Sequence, residues 1–549
     1  MLRPAPSINR LTLVALLAAA LVAAPLLSVA LNVFVGGTGA TWAHLADTVL
    51  ADYVLSTLVL CAVVSIGTAA LGVGAAWLVT RHEFAGRAVF EWLLVLPLAM
   101  PGYVIAYAYT DLLQYVGPVQ TALRRTFGWS HGDYWFPDVR SLGGAAAMFV
   151  LVLYPYVYLL ARTAFLERAG GMIEVGRSLG LTPWRSFVWL SLPLARPAIV
   201  AGVALALMET LADYGTVAYF GVQTFTTGIY RAWFSLGDRV AAAQLSLALL
   251  GFVVAVLALE RASRGRSRYA DATLRGRSVA RLPLTGARAA LAVAACALPL
   301  LLGFVLPALV LGRLASSTEL LPLQRFATLA SHSVEVAGLT AAAAVVVALL
   351  IGYAARAQRG AVMQAAHRLA GFGYALPGTV IAVGVLIPVS RLDHVLDAAL
   401  RSWLGIDVGL LFTGGIAALV YACVVRYLTA ALQSVDAGLA RITPSMEQAS
   451  RSLGLSAGQT LARVHLPLLR GSVLTAALLV FIDVMKELPA TLVMRPFNFD
   501  TLATAAYTLA SDERLAEAAA PALAIVVVGL GPMVLLCRRI ARGMATPIS

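Results

Sequence analysis

The sequence predicts an all-α membrane protein of 12 transmembrane helices, arranged as two parallel six-helix repeats. Three observations carry that prediction. Sixty per cent of the 549 residues are hydrophobic and 12% are charged, far from the balance of a soluble globular chain. Twelve apolar stretches reach the ~20 residues that a helix needs to cross a bilayer. One polar string is also written twice. Arg177-Ser178-Leu179-Gly180-Leu181, followed by Leu192-Pro193-Leu194 and Arg196, returns as Arg451-Ser452-Leu453-Gly454-Leu455, Leu466-Pro467-Leu468 and Arg470, at an offset of 274 residues (451 − 177).

The apolar stretches fall at 11–34, 55–80, 88–110, 143–165, 197–219, 240–260, 289–312, 333–355, 369–390, 409–430, 471–494 and 518–537. Lipid offers no partner to free backbone groups, so such stretches must be helices, and the short alternating segments of a barrel are missing. Arg3 and Arg10 ahead of the first stretch resemble the start of a signal peptide, but the apolar run is too long for one and reads as a retained helix. Cys61, Cys296, Cys423 and Cys537 each fall singly inside a stretch and read as small packing residues. The seven histidines show no metal-ligand spacing, so no fixed metal site is predicted.

The net charge of +13 does not imply nucleic acid, because of where it lies. The connectors on one side hold most of the Lys and Arg, and eight Arg lie between Arg261 and Arg288. That is the positive-inside pattern, which puts both termini in the cytoplasm. The Arg-rich connector divides the chain into a first half (1–262), a linker (263–288) and a second half (289–549). Each half carries six spans, with its copy of the polar string in a loop between the fourth and fifth, at 166–196 and 433–470. Met100-Pro101-Gly102 and Leu376-Pro377-Gly378 are a further repeated mark. Two parallel halves imply a pseudo-two-fold axis along the membrane normal with a pathway between them. A secondary transporter of the major facilitator type shares the six-plus-six outline, but here the second connector is only the short Arg81-His82-Glu83-Phe84-Ala85-Gly86-Arg87.

The polar loops have the chemistry of docking elements. Glu174 to Leu179 favours helix, Gly180 permits a turn without a Cβ penalty, and Pro183 suits the first turn of a following short helix. Leu192-Pro193 then closes that helix and opens the next span. Gly454 with Leu466-Pro467 takes the same parts in the second copy. A short amphipathic helix of this kind fits a groove on a partner or lies on lipid; two at one offset favour a two-fold partner.

These loops resemble the EAA loops of ATP-binding cassette (ABC) importer permeases: an EAA triplet, three residues, a Gly, and later a Leu-Pro pair. The first copy reads Glu174-Val175-Gly176-Arg177-Ser178-Leu179-Gly180; the second reads Glu447-Gln448-Ala449-Ser450-Arg451-Ser452-Leu453-Gly454, with Gln448 where the family has Glu. The resemblance implies the type I ABC importer (MetI-like) fold, with both halves fused in one chain. It assigns ATPase coupling to Glu174, Gly180, Leu192, Pro193, Glu447, Gln448, Gly454, Leu466 and Pro467. It further implies two copies of an ATPase subunit on the cytoplasmic side, one solute-binding protein outside, and residence in the bacterial inner membrane. Leu211-Ala212-Asp213-Tyr214-Gly215-Thr216-Val217 and Lys486-Glu487-Leu488-Pro489-Ala490-Thr491 are similar to fused ferric-iron permeases, as are Phe220-Gly221-Val222 and Arg495-Pro496-Phe497-Asn498-Phe499-Asp500-Thr501. Thiamine and phosphonate permeases look much alike.

No catalytic residue is expected. The one lysine, Lys486, is not in a GxxxxGK[ST] loop, so ATP and Mg belong to the partner ATPase and no cofactor is expected on this chain. The 274 offset also pairs Glu209 with Asp483 and Asp213 with Glu487. Each acid lies four residues from its companion, on one helix face, and ionisable groups in spans are costly and usually face a cavity or a partner. Glu209 lies 16 residues past Pro193, ~24 Å along a helix, so these four carboxylates read as a substrate path near the outer mouth. Alternatively they pack the halves together or contact a delivery protein, and Lys486 is placed to neutralise one of them.

Overall fold

The computed structural model describes residues 10–32, 34–35, 39–130, 132–178, 180–264, 281–316, 321–358, 360–455 and 457–545. Leu179 and positions 265–280 of the linker lie outside the described residues. Almost everything described is helix. Twelve helices follow the apolar stretches: α1 (Arg10–Asn32), α2 (Leu50–Arg81), α3 (Gly102–Leu113), α4 (Leu142–Ser178), α5 (Leu192–Ala212), α6 (Arg239–Arg264), α7 (Gly286–Ala315), α8 (Leu323–Ala357), α9 (Gly378–Leu404), α10 (Ala417–Leu439), α11 (Leu466–Met485) and α12 (Leu515–Ala545).

Among the described residues, ten helices are long and apolar enough to cross a membrane, eleven if one bent pair counts as a single span. The bent pair is the expected third span. Its halves, Arg87–Ala99 and Gly102–Phe127, meet at 93°, because Pro101 sits extended (φ −62°, ψ 145°) at the start of α3 and proline supplies no N–H to carry a helix through. Pro377 does the same before α9 (φ −58°, ψ 139°), so α9 begins nine residues later than the start of the apolar stretch 369–390 (378 − 369). The stretch at 518–537 falls on α12, of which Leu515–Gly531 is apolar helix among the described residues.

The chain folds as two compact units. One comprises Met1–Ala43, Ile229–Ala248 and Pro322–Ala505; the other comprises His44–Gly228, Leu249–Leu321 and Ala506–Ser549. In the first, α1 packs on α8, α9 and α10, and Gly384 lets it in: a Cβ there would stand 2.5 Å from the Pro25 carbonyl oxygen. In the second, α2, α4 and α5 form the centre and α7 packs beside α3 and α12. Gly72 and Gly202 both face Val157 of α4, where an added Cβ would come within 2.7 and 2.6 Å. Close backbone approach through small residues is how helices associate where lipid removes the hydrophobic drive. The first unit therefore takes α1 from the far end of the sequence.

Candidate functional site: two capped helix breaks and two coupling loops

Both helices break beside the acids. In the second unit α5 stops at Ala212, and a short helix, Gly215–Tyr219, follows. Asp213 caps it. Its Oδ1 accepts the N–H groups of Thr216 (2.9 Å) and Val217 (3.3 Å), and its Oδ2 accepts the Thr216 hydroxyl (3.1 Å). In the first unit α11 stops at Met485 and Pro489–Met494 follows. Glu487 receives the N–H groups of Ala490 and Thr491 (2.9 Å each) and the Thr491 hydroxyl (2.6 Å). A carboxylate on free N–H groups at a helix start satisfies donors that have no intrahelical partner.

The repeated Pro-Gly fits under each cap. A Cβ on Gly102 would lie 2.7 Å from Thr216 Oγ1 and 3.6 Å from Asp213 Oδ2; on Gly378 it would lie 2.9 Å from Glu487 Oε1 and 3.3 Å from the Ala490 nitrogen. The glycines thus let the starts of α3 and α9 reach the caps. Proline there starts the helix and glycine makes room.

The two caps differ in charge balance. Glu487 also pairs with Arg426 of α10 at 3.2 Å, the carboxylate side chain wholly buried and the arginine 11% exposed. Among the described residues the bonds to Asp213 come from N–H and O–H groups and not from a cation. One turn earlier, Asp483 pairs with Lys486 at 2.9 Å, the neutralisation the sequence allowed for, while Glu209 is half-buried. Glu209 and Asp213 thus share one unit, and Asp483 and Glu487 share the other. Sequence reasoning missed Arg426; an arginine inside an apolar stretch was the available signal.

The two polar loops repeat in geometry as well as in letters. α4 runs to Ser178, Gly180 is left-handed at φ +70°, Pro183–Ser186 forms a turn of helix, and Phe187–Ser191 a π-helical turn leading into α5. In the other copy Pro444–Ser452 is helical, Gly454 has φ +78°, and Ala457–Thr460 leads through a π-turn at Leu461–His465 into α11. Left-handed glycine is the common way to end a helix. Leu192-Pro193 and Leu466-Pro467 open the spans as expected. Gln448 is exposed; the side chains of Glu174 and Glu447 lie outside the described residues.

Each loop is seated on its own unit. Phe187 packs on Trp77 of α2 (ring centroids 4.5 Å apart), and Trp77 packs on Phe165 of α4 (5.5 Å), while Trp184 and Trp189 stay 69% and 75% exposed. In the other copy Ser450 bonds Thr460 across the turn at 3.1 Å, and Arg356 of α8 donates to the carbonyls of Leu439 (2.6 Å) and Ile442 (2.7 Å) ahead of the loop. An ion pair also ties the short helix after the second span to the helix that feeds each loop. Glu91 pairs with Arg162 of α4, and Tyr158 donates to the Glu91 carbonyl at 2.8 Å. In the other unit the polarity is reversed, His367 Nε2 meeting Asp436 of α10 at 2.9 Å. The hydrogen bond to Asp436 raises the His367 pKa above its usual value.

Comparison with known proteins follows the same lines. Residues 68–266 match the family described as the binding-protein-dependent transport system inner membrane component. The chain is 25% identical over 477 residues to the Fe(3+)-transport system permease protein FbpB 2 of Haemophilus influenzae, covering 85% of each. It is 30% identical over 194 residues to a probable molybdenum ABC transporter permease protein of Haloferax volcanii (35% of this chain, 67% of that one). It is also 30% identical over 153 residues to the sulfate transport system permease protein CysT of Escherichia coli (27% and 50%).

Proposed function

The chain belongs to the inner-membrane permeases of binding-protein-dependent ABC transport systems, and from that premise we propose that it imports ferric iron. A binding protein delivers the iron from outside, and the two halves pass it inward by alternating access. Two copies of a separate ATPase subunit, using ATP and Mg, seat on the Gly180 and Gly454 loops, which face the cytoplasm together with both termini. The observation that carries the coupling reading is the loop geometry written twice: left-handed glycine, one helical turn, π-turn, Leu-Pro. Glu174, Gln448 and Glu447 belong to the same surfaces. Support for iron comes from similarity along 85% of the chain to a permease named for Fe(3+), where the molybdenum and sulfate relatives cover 35% and 27%.

The four acids fit a cation better than an oxyanion. Asp213 and Glu487 spend their lone pairs on helix caps, so we assign them to holding the breaks open, and Glu209 and Asp483, one turn earlier, to the cargo path. Thiamine or a phosphonate is the alternative cargo, and ion-coupled secondary transport the alternative class. Proteoliposomes holding this chain with its neighbouring ATPase and binding protein separate these. ATP-dependent uptake of radiolabelled ferric iron, reduced by Glu209→Ala, supports the proposal. ATP-dependent uptake of thiamine or an oxyanion instead removes the iron assignment, and uptake on an ion gradient without ATPase removes the coupling role.

A further inference from the structure

One feature of the first repeat has no counterpart in the second. Around Asp213 the second unit gathers phenols. Tyr107 packs edge-on against Tyr219 (centroids 4.7 Å apart, planes at 74°), Tyr103 lies one turn below at 5.8 Å, and Tyr214 stands 5.9 Å from Tyr507. Tyr507 and Asp213 both lie close enough to interact electrostatically with Tyr107. At the equivalent positions the second repeat has Thr379 and Val383 (offset 276, from Pro101 and Pro377) and Leu488 and Val493 (offset 274). The fold is built once with these phenols and once without them, so the scaffold does not demand them.

Tyr107 is 2% exposed, and its hydroxyl finds no hydrogen-bond partner among the described residues. A buried polar atom left unsatisfied is costly, and each instance in a native fold asks for a reason. A cleft lies one turn of α3 away in the same unit. It measures about 440 Å³ and is lined by Thr110, one turn from Tyr107 on α3, and by Gln120, Tyr134, Asp138 and Arg140. Arg140, on its wall, lies over the Tyr219 ring (5.0 Å), donates to the Tyr219 hydroxyl (3.4 Å) and pairs with Glu513 (3.4 Å), which offsets its charge.

We propose that the Tyr219–Tyr107–Tyr103 string selects the cargo, with the Tyr107 oxygen as a transient ligand for a hard trivalent cation entering past Arg140. This rests on the ferric-iron reading above. Phenol oxygen is a hard donor suited to a hard ion, and the Asp213 carboxylate disfavours an oxyanion. In the step itself the phenol O–H bond breaks, an O–Fe bond forms and the proton leaves to water admitted with the ion. The iron stays ferric, so no reductant is needed.

The test uses the whole complex, this chain with its ATPase subunits, in lipid nanodiscs for a titration with ferric citrate and in proteoliposomes with the binding protein for uptake. Wild type should develop a visible phenolate-to-iron charge-transfer band. Tyr107→Phe should lose the band and raise the half-saturating iron concentration in uptake about tenfold, the scale on which metal sites respond to lost support. Its melting temperature should stay unchanged. Tyr103→Phe is the second variant and should weaken the band. Tyr109→Phe, whose hydroxyl donates to the Leu302 carbonyl at 2.8 Å outside the string, should keep it. A Tyr107→Phe complex that keeps both the band and the iron dependence overturns the inference while iron transport stands. A wild-type complex that moves another solute and no iron overturns the ferric-iron reading and this inference with it.

Discussion

Replacing Arg426 by Met should destabilise the protein more than any change at the Asp213 cap, and the size follows from burial. The Glu487 side chain is wholly buried and Arg426 is 11% exposed, so removing the arginine leaves a charge that water cannot reach. Breaking such a pair from one side costs ~3–5 kcal/mol. Glu487 keeps three other donors, from Ala490 and Thr491, which places the cost near the lower end, about 3 kcal/mol. Glu487→Gln should cost a similar amount, because it strands the guanidinium and weakens the cap. The double variant Arg426→Met/Glu487→Gln strands neither charge and should recover about 2 kcal/mol relative to the sum of the single changes, within the range for groups in direct contact. Asp213→Asn should cost only ~1 kcal/mol, the usual worth of a cap. Thermal inactivation of the purified chain in one detergent, at a fixed scan rate, gives the comparison, since membrane proteins of this size rarely unfold reversibly. Single variants that melt with the parent, or a double variant that melts where the two singles add, would refute the argument that the pair is a buried charge couple.

Three further outcomes follow from the same geometry. Gly180→Ala and Gly454→Ala meet no atom within 4 Å, so their cost is the left-handed strain alone, ~1–2 kcal/mol per residue. The chain should insert normally while ATP hydrolysis stimulated by the binding protein falls, and unimpaired stimulation would remove the coupling assignment. Gly102→Ala and Gly378→Ala push a methyl onto the caps, at 2.7 Å from Thr216 Oγ1 and 2.9 Å from Glu487 Oε1. Overpacking of this kind costs ~1–3 kcal/mol, and a melting curve that does not move for either variant counts against the close approach. The His367–Asp436 pair should make stability pH-dependent. With the folded-state histidine pKa raised above 6.5, its contribution is complete below about that pH and is lost as pH rises through the raised value. His367→Gln should flatten that fall in melting temperature as pH rises above about 6.5, and an identical pH profile in the variant would exclude the pair as its source.

Much of this architecture was legible in the sequence because membranes restrict the choices. Apolar length located the helices, and the repeat located the loops, with left-handed Gly180 and Gly454 where the pattern put the turn. The breaks beside Asp213 and Glu487 were readable from Gly215 and Pro489. The rest depended on distant partners. That Pro101-Gly102 makes room for a cap depends on Thr216, 114 residues away (216 − 102), and no periodicity carries such a contact. The Arg426–Glu487 pair spans 61 residues, and apolar length alone could not say which acid an intramembrane arginine would meet. Nor could it say that α1 joins the unit built mainly of the second half, because an Ala-rich helix packs on any surface of small residues.

What the two repeats share and what they do not divides the molecule by role. The carboxylate cap, the glycine beneath it, the left-handed glycine, the π-turn and the Leu-Pro start occur in both. All of these concern backbone direction: they fix where a span stops and how a loop leaves it. The side chains around those points differ. Arg426 neutralises one cap, and its counterpart in the first repeat is Val152; five phenols surround the other cap, where the second repeat has Thr379, Val383, Leu488 and Val493 at four of the matching positions. A motor that drives both halves at once needs the same backbone levers in each, so these should tolerate little change in either copy. A cargo site needs only one set of ligands. Four phenols of the first repeat joined by Tyr507, with the second repeat's cap neutralised by Arg426, are the arrangement expected if one half selects the ion and both halves move it.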